Sequence, residues 1–208
     1  MLAADRRALV PDLPGWGRSP RPPRALDVQQ LADALAGFLD AERLARVPLV
    51  ANSLGCQVAV ELAVRSPERV SALVLVGPTV DPSRRTFALQ TRSFVVDSLR
   101  EPPSLWWIIA SDYARMGPMR FVHTARFALR QRIEDLLPRV AAATLVVRGE
   151  HDAFASEAWC RRAAELLPRG SLAVVDGAAH AVHYSDPGRV AGLVRSFLEE
   201  VEEGSDER

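Results

Sequence analysis

Three side chains in this sequence have the types and order needed for acyl chemistry: Ser53, Asp152 and His180. Ser53 lies in Ala51-Asn52-Ser53-Leu54-Gly55, between an apolar stretch and a helical one. A serine hydroxyl is a poor nucleophile until a neighbouring base takes its proton. A sharp strand-to-helix turn would expose that hydroxyl. It would also aim the N–H groups of the helix start at a developing oxyanion. The competing reading of this pentapeptide is a turn that merely needs small residues.

Asp152 follows "TLVVRGEH", just past the end of an apolar strand. Strand ends at the carboxyl edge of a parallel sheet are where sites assemble. The alternatives are a helix-capping role for Asp152 and Asp81 as the acid, with Glu150 pointing elsewhere. His180, in the small-residue loop "DGAAHAVHYSDPG", is the candidate base, with His183 three residues on as its competitor. The other two histidines, His123 and His151, suit that role less well.

Elements must hold these residues together, and the hydrophobic pattern supplies them. Strands are expected at Arg7–Pro11, Pro48–Asn52, Ser71–Val76, Thr144–Arg148 and Ser171–Val175. Helices are expected at Asp27–Leu39, Leu54–Arg65, Glu157–Leu167 and Pro187–Glu200. This alternation implies a mostly parallel sheet flanked by helices, an α/β fold. From Pro82 to Arg139 the pattern is helical only, cut by Pro102, Pro103, Gly117 and Pro118 into three or four helices. Trp106, Trp107, Tyr113, Met116, Met119 and Phe121 in this insertion either form its own small core or roof an apolar pocket.

Composition bounds the remaining possibilities. The chain has 208 residues, 48% hydrophobic, with 26 basic and 26 acidic residues. Zero net charge argues against nucleic acid or an anionic membrane as the main partner. All the basic residues are arginine, which we read as the codon bias of a GC-rich genome. Cys56 and Cys160 form no CxxC pair and no metal-spaced cluster; they read as reduced thiols with no metal site, a disulfide between them being the alternative. No signal peptide or membrane-length apolar run is visible, and a cytoplasmic location is expected.

Four segments together resemble the α/β-hydrolase fold superfamily: "VPDLPGWGRS", "VANSLGCQVAVELAVRSPERVSALVLV", "TLVVRGEHD" and "GAAHAVHYSDPGRV". The usual nucleophile turn of that superfamily reads G-x-S-x-G, and Ala51 replaces its first glycine. The resemblance implies Ser53 as nucleophile, Asp152 as acid, His180 as base and the Leu54 N–H as an oxyanion donor. It implies a discontinuous core over 1–81 and 140–202, a cap over 82–139 and a flexible tail over 203–208. Trp16, Asn52, Trp106, Trp107 and His183 are weaker candidates for a substrate pocket. The implied function is cofactor-independent hydrolysis of a small, partly apolar ester or related carbonyl substrate. The branches most similar are the esterases, C–C bond hydrolases and perhydrolases. Branches with aspartate at the nucleophile position are disfavoured. An acyltransferase, a binding protein and a truncated pseudoenzyme on the same scaffold are the alternatives.

The resemblance also implies a strand ending in a His-Gly motif ahead of "PDLPGWGRS", with a loop that supplies a second oxyanion N–H. Met1 stands about where the following helix would end, so a miscalled start or a fragment is one expectation. A shortened relative or a decayed copy is another. That strand would lie between Arg7–Pro11 and Pro48–Asn52. Without it those two must close up and pair, or leave a gap of nearly 10 Å and unsatisfied backbone.

Overall fold

In the computed structural model, which describes residues 6–206, a sheet of four parallel strands carries the chain. The strands are β1 (Val47–Asn52), β2 (Val70–Val76), β3 (Ala143–Gly149) and β4 (Gly170–Val175), side by side in sequence order. The helices are α1 (Val28–Ala41), α2 (Leu54–Arg65), α3 (Phe87–Ser98), α4 (Pro103–Met116), α5 (Pro118–Arg130), α6 (Ile133–Leu136), α7 (Glu157–Leu166), α8 (Val182–Ser185) and α9 (Pro187–Asp206).

Side-chain alternation on the strands builds two cores. Leu73 and Leu75 of β2 face a cluster with Leu31 of α1, Val58 and Leu62 of α2, and Trp159 of α7. Ala72, Val74 and Val76 face the opposite way, onto Val190, Val194 and Leu198 of α9. A strand buried on both faces must be apolar throughout, which is why "VSALVLV" shows no polar alternation. Asp27 starts α1 with a capping box: its side chain accepts from Gln30 N, and the Gln30 side chain accepts from Asp27 N.

Residues between β2 and β3 form the helical excursion expected from their periodicity. Tyr113 of α4 stacks between Phe94 of α3 and Phe121 of α5, with ring centroids 6.4 and 4.9 Å away. Ile133, Leu137 and Val140, near its end, are fully buried in the main core instead.

One expectation fails. Arg7–Pro11 is not a strand: among the described residues it has no sheet partner, β1 is the edge of the sheet, and Val10 is 93% exposed. A strand exists only through its ladder, so apolar β-branched character without a neighbour leaves an extended segment. Helix α9 runs on to Asp206, with Glu202 held by Arg6 at 2.6 Å; the last two residues of the expected 203–208 tail lie outside the described residues.

Candidate active site

Parallel register brings four strand ends to one edge. Asn52 pairs with Val76, Val76 with Val147, and Gly149 with Val175. The residues just beyond these ends are Ser53, Gly77, the 150–152 turn and the 176–180 loop, so the candidates arrive together.

Ser53 sits at the junction of β1 and α2 with φ 54° and ψ −120°, a conformation that side chains rarely adopt. Its N–H donates to Val76 O at 3.0 Å, which ties the turn to β2. Its side chain does not cap α2. Leu54, the first residue of that helix, has an N–H without an intrahelical acceptor by position. Cys56 lies buried one turn in, its thiol 3.4 Å from Ala51 O and Val76 O. Burial pushes that thiol well above its ordinary pKa and Cys160 up to about 12, so neither free cysteine competes as a nucleophile.

Asp152 and His180 meet directly: Asp152 Oδ2 lies 2.8 Å from His180 Nδ1. The other Asp152 oxygen accepts from Phe154 N at 2.7 Å and Ala155 N at 2.8 Å. One carboxylate thus both shapes its turn and orients the ring, while Ser156 is the cap of α7. Burial alone would raise the Asp152 pKa. The His180 charge and these hydrogen bonds outweigh it and hold the carboxyl below its ordinary value. Burial alone would lower His180; Asp152, followed by Asp97 and Glu101, holds it above its ordinary value. His180 is 9% exposed, and its Nε2 has no protein partner among the described residues. Ser53 Oγ therefore makes no hydrogen bond to it in this state, a looseness common before substrate binds.

The turn around Asp152 is laced into place. His151 N donates to Ala178 O at 2.8 Å, joining the two loops. Arg148, buried in β3, donates to Ala155 O and Glu150 O at 3.3 and 3.0 Å. Arg84 reaches Ala153 O and Arg100 reaches His151 O. Gly77, beside Val76, has φ +53° and lies so close to the pair that a Cβ there would be 2.7 Å from His180 Nδ1.

The rival candidates are placed differently. Asp81 binds Ser83 and Ser156, not a histidine. Glu150 accepts from Gly177 N. His183 is exposed at the start of α8. Among the weaker pocket candidates, Asn52 donates its amide to Val76 O at 3.1 Å, and Trp16 belongs to the turn at 13–19. Trp106 and Trp107 are 47% and 81% exposed and are not brought onto the pair. Sequence reasoning missed three neighbours of His180. Gly77 carried a signal, a glycine directly after an apolar strand, whereas Asp97 and Glu101 sit in unremarkable helical sequence and carried none.

The chain also matches a family model. The model of the "Alpha/beta hydrolase family" matches residues 1–193. The chain belongs to that family. It is 31% identical to the 2-hydroxymuconate semialdehyde hydrolase of Pseudomonas sp. (strain CF600), over 97% of this chain and 79% of that protein. It is 29% identical to a pimeloyl-[acyl-carrier protein] methyl ester esterase of Neisseria meningitidis serogroup B, over 90% of this chain and 81% of the other. Among solved structures, the meta-cleavage product hydrolase of Pseudomonas fluorescens IP01 superposes with a TM-score of 0.76. That match spans 96% of this chain and 82% of that one, at 22% identity. As a member of the alpha/beta hydrolase family the chain is a hydrolase. No helix among its described residues is long and apolar enough to cross a membrane.

Proposed function

We propose that the chain hydrolyses a small, partly apolar ester or related carbonyl compound through an acyl-enzyme on Ser53. The observation that carries this reading is the buried 2.8 Å contact of His180 Nδ1 with Asp152, which leaves Nε2 as the free face of the ring. It stands at the same sheet edge as a serine held at positive φ. The two relatives named above support a carbonyl substrate, since their names specify a semialdehyde and a methyl ester.

The steps follow from the groups present. His180 Nε2 takes the Ser53 hydroxyl proton as Oγ bonds to the carbonyl carbon. The carbonyl π electrons move to oxygen, and the Leu54 N–H faces that charge. The intermediate collapses, the leaving group departs with the proton from His180, and Ser53 is left acylated. Water then gives its proton to His180 and attacks the acyl carbon; the second intermediate collapses, and His180 returns that proton to Ser53 Oγ as the acid leaves. Asp152 stays ionised and steadies the imidazolium throughout. Helices α3–α5 are assigned as a cap over this edge, supported by their hydrogen bonds to the His180 segment, Asp97 to His180 N and Ser104 to Tyr184.

A fluorophosphonate reagent tests the reading, because it needs an activated serine but no known substrate. Mass spectrometry is expected to find one adduct, at Ser53, with none in Ser53→Ala. A folded wild-type protein that takes up no reagent, or takes it up elsewhere, refutes the assignment.

A further inference from the structure

The mechanism above leaves two buried carboxylates unexplained. Asp97, in the last turn of α3, and Glu101, three residues past its end, are 5% and 6% exposed. Both come from the insertion, not from the sheet that carries the candidate triad. Burying a carboxylate is expensive unless its partners compensate. Their partners are specific. Asp97 Oδ1 faces His180 N at 3.2 Å and Ala153 N at 3.5 Å. Glu101 Oε1 accepts from Ala181 N at 2.6 Å. Arg100, between them, donates to His151 O at 2.7 Å. Within five residues the end of α3 thus touches the main chain at His180, beside His180, and on both sides of Asp152. Glu101 keeps its second oxygen buried without a protein partner, so this carboxylate is retained at a cost in solvation.

We propose that Asp97 and Glu101 are positioning residues for His180: they clamp its backbone and bring two further carboxylates to it. The inference rests on the reading of His180 as the base. A ring is placed by its backbone as much as by its own hydrogen bond. Here Asp152 sets the rotation of the imidazole, and the α3 carboxylates set where the Cα stands. The charged groups facing His180 are Asp152 from the loop after β3, Asp97 and Glu101 from α3 and its end, and His183 from α8. Three carboxylates against one second imidazole favour the imidazolium. Burial, with repulsion from Asp152 and Glu101, pushes Asp97 itself up to about 6 despite the His180 charge.

The experiment is the rate of fluorophosphonate labelling at Ser53 against pH, in the full chain, with folding verified by circular dichroism. Asp97→Ala and Glu101→Ala remove the acceptors and are expected to lower the high-pH plateau by up to about 100-fold, the size of an ångström-scale misplacement. Asp97→Asn and Glu101→Gln keep an oxygen acceptor and lose the charge. They are expected to recover most of the plateau while the midpoint falls to lower pH. A purely architectural role would change urea stability and leave the midpoint in place. Wild-type plateau in folded alanine variants, or an unmoved midpoint in the amide variants, overturns the inference. If Asp97→Ala does not fold, the two Glu101 variants decide it. His180→Ala separates the layers: labelling at the wild-type rate there overturns the base assignment, and this inference with it. Loss of labelling there, with unaltered Asp97 and Glu101 variants, overturns the inference alone.

Discussion

Replacing Gly77 by alanine should disable the site through a single methyl group. The added Cβ would lie 2.7 Å from His180 Nδ1, 2.8 Å from Cε1 and 2.9 Å from Asp152 Oδ2. An ordinary contact needs about 3.5 Å, so the shortfall approaches roughly 0.8 Å. Neither side can yield cheaply. Gly77 N donates to Val147 O at 2.8 Å, which fixes that backbone between β2 and β3. The imidazole and carboxylate are buried and bonded to each other. Alanine at φ +53° adds about 1 kcal/mol of conformational strain, and overpacking about 1–3 kcal/mol more. Stability should fall by about 2–4 kcal/mol in urea unfolding. Displacing the ring by most of an ångström should slow labelling of Ser53 by about 100-fold in the fraction that stays folded. Gly37→Ala is the matched control. Gly37 is inside α1 with open space at its Cβ, so alanine there should stabilise by about 0.5–1 kcal/mol and leave labelling alone. A folded Gly77→Ala protein that labels at the wild-type rate would show that the His180–Asp152 pair is not what activates Ser53.

Two further predictions concern strain and protonation. Ser53→Gly should abolish labelling yet stabilise the fold by about 1 kcal/mol, because glycine accepts φ 54° without penalty; an unchanged urea midpoint would count against strain at this turn. Labelling needs neutral His180, whose pKa is raised, so the rate should climb through a midpoint above the ordinary 6.5. Asp152→Asn removes the strongest charge holding it up, so both midpoint and plateau should fall; a midpoint at or below 6.5 in the wild type would contradict the geometry. Stability should follow the same pair. The His180 contribution is complete below pH 6.5 and is lost as pH rises through its elevated folded value. The Asp152 contribution is complete above its ordinary 3.8 and is lost as pH falls through its depressed one.

Much of this was legible because it is local. The β1–Ser53–α2 junction follows from β-branched residues giving way to helical spacing at one small-residue turn, and α2 spans the residues its pattern marks. Asp152 and His180 could be singled out as candidates because each lies in the loop after an apolar strand, and strands in a parallel sheet deliver their ends to one edge. Where the decision lay between two nearby residues, local pattern was weaker. His180 and His183 stand three residues apart in one small-residue stretch of sequence, and the structure separates them by burial and by the 2.8 Å contact of His180 with Asp152. Asp81 also follows a strand, and the structure bonds it to Ser83 and Ser156 rather than to a histidine.

What depended on partners distant in sequence was decided by the tertiary structure alone. Arg7–Pro11 has strand-like residues, but a strand is a pairing, and no strand among the described residues lies beside it. Trp106 and Trp107 lie on α4 beside residues that pack, yet they are exposed, because which face of a helix is covered depends on what lies across from it. Asp97 and Glu101 look like ordinary surface acids in sequence. They become buried clamps on His180 because the insertion returns to the sheet edge more than 75 residues before the loop they hold. From Asp27 onward the sequence by itself determined the alternation of strands and helices in the core and the residue types at their ends, since both are set by neighbours along the chain. The tertiary structure decided which of those residues touch, since contact energies between distant segments leave no periodic trace in either one.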